Sequence, residues 1–145
     1  MNPKLRKFIP VVEAIAALSK NPKRTVGAVI FTQDLSIVAT GYNDLSKGIP
    51  HISLLYQQPD KDKYLAHAEE NAIAQAAKYG HATNNCIMLV TGLQPCSRCS
   101  RLIVQAGIVE VYYPATEVVD PKWEEDFVYA RNILNDGEVI YESYK

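Results

Sequence analysis

Apolar positions along the chain change rhythm several times, and each rhythm predicts an element. Leu5, Phe8, Ile9, Val12, Ile15, Ala16 and Leu18 recur at three- and four-residue intervals, which predicts an amphipathic helix over residues 4–19. Pro10 lies inside that window and either delays the helix or kinks it, and Asn21-Pro22 ends it. Residues 25–32 and 37–42 are rich in β-branched and apolar side chains, with Gln33-Asp34 between them as a turn, so they predict a hairpin. Residues 43–65 carry little periodicity and contain Gly48, Pro50 and Pro59, the pattern of a long irregular loop. An alanine-rich helix follows over 67–79 and stops at Gly80. Beyond it come a strand at 87–91, a helix opened by Pro95 and closed by Gly107, a strand at 109–113, a helix over 122–135 and a strand at 138–141.

The resulting order is α-β-β-α-β-α-β-α-β. Alternating strands and helices in the second half imply parallel crossovers within one sheet, and the first two strands form an antiparallel edge. The expected fold is a three-layer α/β/α sandwich around a five-stranded mixed sheet, with residues 1–145 as a single domain.

Composition narrows the partners. A hydrophobic content of 48% with 21% charged residues suits a packed core rather than a disordered chain. A net charge of −1 is poor equipment for nucleic acid, whose binding draws on Lys and Arg contacts to phosphates. Lys4, Arg6 and Lys7 precede an apolar stretch in the manner of a leader peptide, but Glu13 interrupts it and its spacing is amphipathic. No apolar run approaches the length of a membrane span. A cytoplasmic protein with no membrane partner is expected.

The chemistry gathers at two short motifs. Cys96 and Cys99 follow Pro95 at the predicted start of a helix, three residues apart and so on one face. Unpaired N–H groups at a helix start favour thiolates, the form that binds metal. Alone, this pair has an ordinary reading as well, a redox dithiol or half of a structural zinc site. His67 changes the balance, because it opens the preceding predicted helix and a βα crossover brings the two helix starts to one sheet edge. One nitrogen and two sulfurs suit zinc and leave a fourth tetrahedral position open. A closed structural site would need a fourth ligand, and Cys86 and His81 are the neighbouring candidates. Zinc lowers the pKa of its bound water from about 16 to about 7, and Glu69 beside it can shuttle the proton to a ring nitrogen and then to departing ammonia. Residues at i, i+2 do not share a helix face, so His67 and Glu69 can converge only through the geometry of the first turn. Glu70 reads as a solvated face residue.

The combination His67-Ala68-Glu69 with Pro95-Cys96-x-x-Cys99 is the signature of zinc nucleobase deaminases. The flanking segments Val26-Gly27-Ala28-Val29-Ile30, Gly41-Tyr42-Asn43, Lys63-Tyr64, Asn71-Ala72-Ile73 and Gln105-Ala106-Gly107-Ile108 resemble the deoxycytidylate (dCMP) deaminases of the cytidine deaminase-like superfamily. The resemblance covers roughly residues 19–113. It fits the tRNA adenosine deaminases, which share the zinc motif, less well. The resemblance implies hydrolytic deamination of dCMP to dUMP, with one Zn2+ held by His67, Cys96 and Cys99 and with Glu69 moving protons. It further implies that Asn43 hydrogen-bonds the sugar and the Ala68 backbone N–H the pyrimidine carbonyl. A 5′-phosphate needs cations, for which Lys23 and Arg24 are candidates beside their reading as a solvated loop end. Tyr113, ending a strand, is a candidate to stack on the base, with core packing as the alternative.

Many members of that family are hexamers controlled by dCTP and dTTP, which implies a homo-oligomer and a regulatory nucleotide carrying Mg2+. The family continues Gly-Tyr-Asn with Gly and, two residues on, Pro; this chain has Asp44 and Ser46 there, and its loop is shorter than in larger members. That departure bears on nucleotide control and points to dCTP or a modified cytosine nucleotide as alternative substrates. A deaminase for free nucleosides or for a base within RNA is a rival reading. His51 in the same loop is a candidate for a second zinc, against an ordinary loop histidine. A non-catalytic zinc domain is a further alternative, one with no use for Glu69.

Overall fold

In a computed structural model of the protein, the residues described are 1–52, 56, 57, 59, 61–117 and 120–145. Two short helices, α1 (Pro3–Arg6) and α2 (Ile9–Ala16), stand where one helix is predicted. Pro10 explains the break: it has no N–H to give to Arg6, and its ring clashes with the carbonyl four residues back, so the chain restarts with Pro10 in the first turn of α2. The hairpin follows as β1 (Gly27–Phe31) and β2 (Ile37–Tyr42). Its connection is longer than Gln33-Asp34, since Thr32 N–H bonds to the Ser36 carbonyl at 2.9 Å and Leu35 takes a positive φ of 67°. β1 starts two residues later than predicted because Val26 N–H bonds to the Asn43 side chain instead of a strand.

The predicted irregular loop holds structure of its own. β3 (Asp44–Leu45) pairs antiparallel with β4 (Leu65–Ala66), and α3 (Lys61–Tyr64) leads into β4. Residues 53–55, 58 and 60 of that loop lie outside the described residues. The later elements are α4 (Ala68–Lys78), β5 (Cys86–Thr91), α5 (Ser97–Gln105), β6 (Ile108–Pro114), α6 (Pro121–Asp136) and β7 (Ile140–Tyr144). The last strand starts later than predicted because Glu138 takes a positive φ of 57° in the turn after α6.

The main sheet has five strands in the order β2-β1-β5-β6-β7, antiparallel through β2, β1 and β5 and parallel through β5, β6 and β7. Strand alternation splits the core into two layers. Ala28, Ile30, Met88, Val90 and Val111 face the side of α4 and α5, joined by Ala68, Ala72, Ala76 and Ile103. Val29, Phe31, Ile87, Leu89 and Tyr112 face the opposite side, under Leu5 and Val12 of α1 and α2. The result is the expected three-layer α/β/α sandwich with a five-stranded mixed sheet. Because β1 runs against β5, Gly27 at its start lies opposite Thr91 at the end of β5. The segments before β1, after β2 and after β5 therefore meet at one sheet edge. Among the described residues, no helix is long and apolar enough to cross a membrane.

Candidate active site

At that edge α4 and α5 begin, and the residue before each is a metal-ligand type. His67 is the N-cap of α4 and Cys96 the N-cap of α5, both in extended conformation. His67 is thus outside the helical phase (φ −74°, ψ 159°), which lets its ring and the Glu69 side chain converge despite their i, i+2 spacing. Cys99 lies one turn into α5 and is fully buried. His67 Nδ1 sits 3.4 Å from Cys96 Sγ and 3.3 Å from Cys99 Sγ. Ligands of one tetrahedral zinc, at standard Zn–N and Zn–S lengths, lie about 3.5 Å apart, so the donor set fits the ion. Among the described residues, His67, Cys96 and Cys99 are the one such group.

Neither candidate fourth ligand joins them. Cys86 starts β5, at the opposite end of the strand, and its thiol faces the Ala82 and Asn84 carbonyls. His81 bonds to the Val38 carbonyl. His51 contacts the Tyr56 hydroxyl at 3.1 Å, and it belongs to no group of metal-ligating side chains among the described residues. The Cys96 thiol is held down to about 4, first by its hydrogen bond from Cys99, which in turn keeps its own proton, and then by His67.

Glu69 is 3% exposed, and burial pushes its carboxyl up to about 7 against the opposing pull of His67. A carboxyl poised near neutrality beside a cluster of metal-ligating side chains is suited to taking and returning a proton. It lines a cavity of about 140 Å³ together with Arg24, Asn43, Ala68, Gln94 and Trp123. Ala68 is the first residue of α4, where backbone N–H groups lack helical partners. The Asn43 amide is engaged on both sides: Oδ1 accepts from Val26 N–H and Nδ2 donates to the Arg24 carbonyl, each at 2.8 Å. One hydrogen and one lone pair remain for a ligand.

Two expected contacts lie elsewhere. Tyr113 is buried in the core and borders a separate hollow with Arg131 and Ser143, because β6 is one strand further from the site than β5. Lys23 is exposed in a turn closed by its N–H to Asn21 Oδ1, outside the cavity wall that Arg24 joins. Asp44, the departure from the family pattern, is 2% exposed and accepts from Leu45 N–H and the Tyr56 hydroxyl, organising the loop rather than the cavity.

Sequence reasoning missed Trp123, whose ring stacks on Phe127 at 5.6 Å; Phe127 packs on Cys96 and Cys99. The chain's sole Trp at the start of a predicted helix was the available signal. Glu70 is not a solvated face residue: its carboxylate accepts from His67 N–H at 2.8 Å and pairs with Arg98. Nothing in the sequence announced Asp126, which reaches from α6 to Ser97.

The family described as "cytidine and deoxycytidylate deaminase zinc-binding region" matches residues 3–115. The chain belongs to that deaminase family. The deoxycytidylate deaminase of Homo sapiens is 32% identical over 143 residues, covering 94% of this deaminase and 77% of the human protein. That of Pongo abelii is 36% identical over 119 residues, covering 78% of this chain and 65% of its own length. The fold matches the crystal structure of dCMP deaminase from the cyanophage S-TIM5 in complex with dCMP and dUMP, with a TM-score of 0.76, 23% identity and 99% of each chain covered.

Proposed function

We propose that this deaminase hydrolyses dCMP to dUMP and ammonia, as a single domain over residues 1–145. The observation that carries the reading is Glu69, buried on the wall of a cavity that His67 and Cys96 of the ligand cluster also line. The relatives named for deoxycytidylate supply the substrate class. His67, Cys96 and Cys99 would hold one zinc ion, whose contribution is to activate water at neutral pH. This chain's own groups do the rest. The Ala68 N–H binds the pyrimidine carbonyl, which orients the ring with its amino carbon toward the cluster. Glu69 takes a proton from the attacking water and gives it to the ring nitrogen. It then takes the second proton from the hydroxyl left on the amino carbon and gives it to the departing amine, which leaves as ammonia. Asn43 offers its remaining donor to the sugar, and Arg24 places a cation at the cavity wall for the 5′-phosphate.

Assembly as a homo-oligomer, a hexamer by resemblance, belongs to the same reading. Val128 and Tyr129 on α6 and Ile140 on the edge strand β7 are exposed apolar side chains suited to contact between copies. Light scattering after size exclusion measures it. For substrate, zinc-loaded protein is incubated with dCMP, dCTP, deoxycytidine and a short RNA while ammonia is followed. Release from dCMP above all others is expected. Preference for dCTP or deoxycytidine moves the substrate to the alternatives, and no release from any of the four overturns the enzyme reading.

A further inference from the structure

The two helices that frame the metal cluster each give the N-cap position to a ligand. A helix start leaves N–H groups without partners, and an N-cap side chain ordinarily accepts one of them. The Cys96 side chain is turned toward the ligand cluster instead. Cys96 makes no capping bond from its side chain. At α4 Glu70 supplies the return half of a capping box from within the first turn, and at α5 the missing acceptor arrives from another helix. Asp126, on α6, accepts Ser97 N–H at 2.9 Å through one oxygen and the Ser97 hydroxyl at 2.6 Å through the other. Glu70 accepts His67 N–H at 2.8 Å and Arg98 Nη2 at 3.1 Å through one oxygen, and its other oxygen meets Arg98 Nε at 3.0 Å. Arg98 sits between the two cysteines, so Glu70 fastens the first turn of α4 to the first turn of α5, and Asp126 fastens α5 to α6.

We infer that Glu70 and Asp126 are positioning residues that fasten the ligand-bearing turns and so hold the three ligand atoms at metal-binding separation. Glu70 does so by tying α4 to Arg98, and Asp126 by accepting at α5 in place of Cys96. The inference rests on the zinc reading above. Neither carboxylate is on the wall of the cavity, so neither touches substrate. Both act through backbone and Arg98, as outer partners of metal ligands do elsewhere. Holding the turns before the ion arrives means that binding need not order them, which slows release. Half-exposed Arg98 contributes little to global stability through its ion pair, so the effect falls on metal retention.

The test compares Glu70→Gln and Asp126→Asn, both nearly isosteric, with Leu134→Val, which trims the core at the far end of α6. Zinc transfer from the holoprotein to a chromogenic chelator is timed, thermal midpoints are measured, and Ser97 amide exchange is followed in the metal-free protein. Each carboxylate variant is expected to release zinc about tenfold faster or more, with Leu134→Val at the wild-type rate even where its midpoint falls as far. Asp126→Asn also exposes the Ser97 amide without metal. Wild-type release rates in the carboxylate variants, or equally fast release from Leu134→Val, overturn the inference. If the wild-type protein takes up no zinc, the zinc reading falls by itself, and unchanged Ser97 exchange in Asp126→Asn then refutes capping separately.

Discussion

Gly41, the next-to-last residue of β2, is where the packing of the sheet and the geometry of the active site meet. A Cβ at this position would lie 2.2 Å from the Ala68 carbonyl oxygen and 2.4 Å from the Ala72 nitrogen, both backbone atoms of α4. Ordinary contact begins at 3.4 Å, so Gly41→Ala must push the helix away by more than about 1 Å. A side chain could swing aside; a helix backbone cannot. Ala68, Ala72 and Ala76 are fully buried against the sheet, so the retreat loosens that whole face. Overpacking of this kind costs about 1–3 kcal/mol, which in a chain of this size lowers Tm by roughly 3–10 °C. The same retreat carries His67, Ala68 and Glu69 with it, and a shift of about 1 Å at reacting groups costs on the order of 100-fold in rate. Gly27→Ala is the comparison. Its Cβ would meet the Val12 carbonyl oxygen at 2.5 Å, on the opposite face, where α2 carries no site residue. Calorimetry and ammonia release on both variants should show two unstable proteins, of which Gly41→Ala alone has lost turnover. A Gly41→Ala protein that melts low but turns over at the wild-type rate would refute the claim that this contact sets the catalytic turn.

Glu69→Gln should keep zinc, measured by metal content, and lower kcat by about 100- to 10,000-fold, the usual worth of a positioned proton shuttle; retained activity places the shuttle elsewhere. Arg24→Ala should raise KM for dCMP by roughly 10- to 100-fold, the worth of a charge-assisted hydrogen bond, while deoxycytidine turnover stays level; equal losses on both would remove Arg24 from phosphate recognition. Asn43→Ala strips the partners from Val26 N–H and the Arg24 carbonyl, so chemical denaturation should show a loss of about 1–3 kcal/mol. Chelation should abolish ammonia release and lower the melting temperature, and added zinc should restore both; activity that survives complete zinc removal contradicts the metal reading.

The sequence spoke most clearly where chemistry and periodicity coincide. β-Branched and apolar runs at 37–42 and 87–91 announced strands, and Pro95 and Gly107 bracketed α5. His67, Cys96 and Cys99 were legible because metal ligation restricts residue type, and two such motifs at successive helix starts seldom coincide by chance. Long-range polar pairing left no such trace. Asp126 reaching Ser97, Glu70 pairing with Arg98, and Asn43 bridging Arg24 and Val26 join residues whose individual spacing signals nothing. Tyr113 was misplaced for a related reason. Strand alternation gives its face of the sheet but not its lateral distance from the cluster, which depends on β6 lying outside β5. The broken first helix shows the opposite case, where a local rule about Pro10 was present and simply stronger than the apolar rhythm around it.

The reversed direction of β1 has a consequence for how such a protein can change. Were every strand parallel, the segments before β1 and after β2 would open at opposite ends of the sheet. Here Arg24 and Val26, Asn43, and Leu93 with Gln94 all reach the same rim, while the turns at the other end, around Leu35 and Asn85, touch none of them. New ligand preferences can therefore be written into short exposed segments at one end while the apolar middle stays untouched. Asn43 sets the limit on that freedom. Its amide ties the first two of those segments together, so a designer who wishes to alter either one must redraw them as a pair.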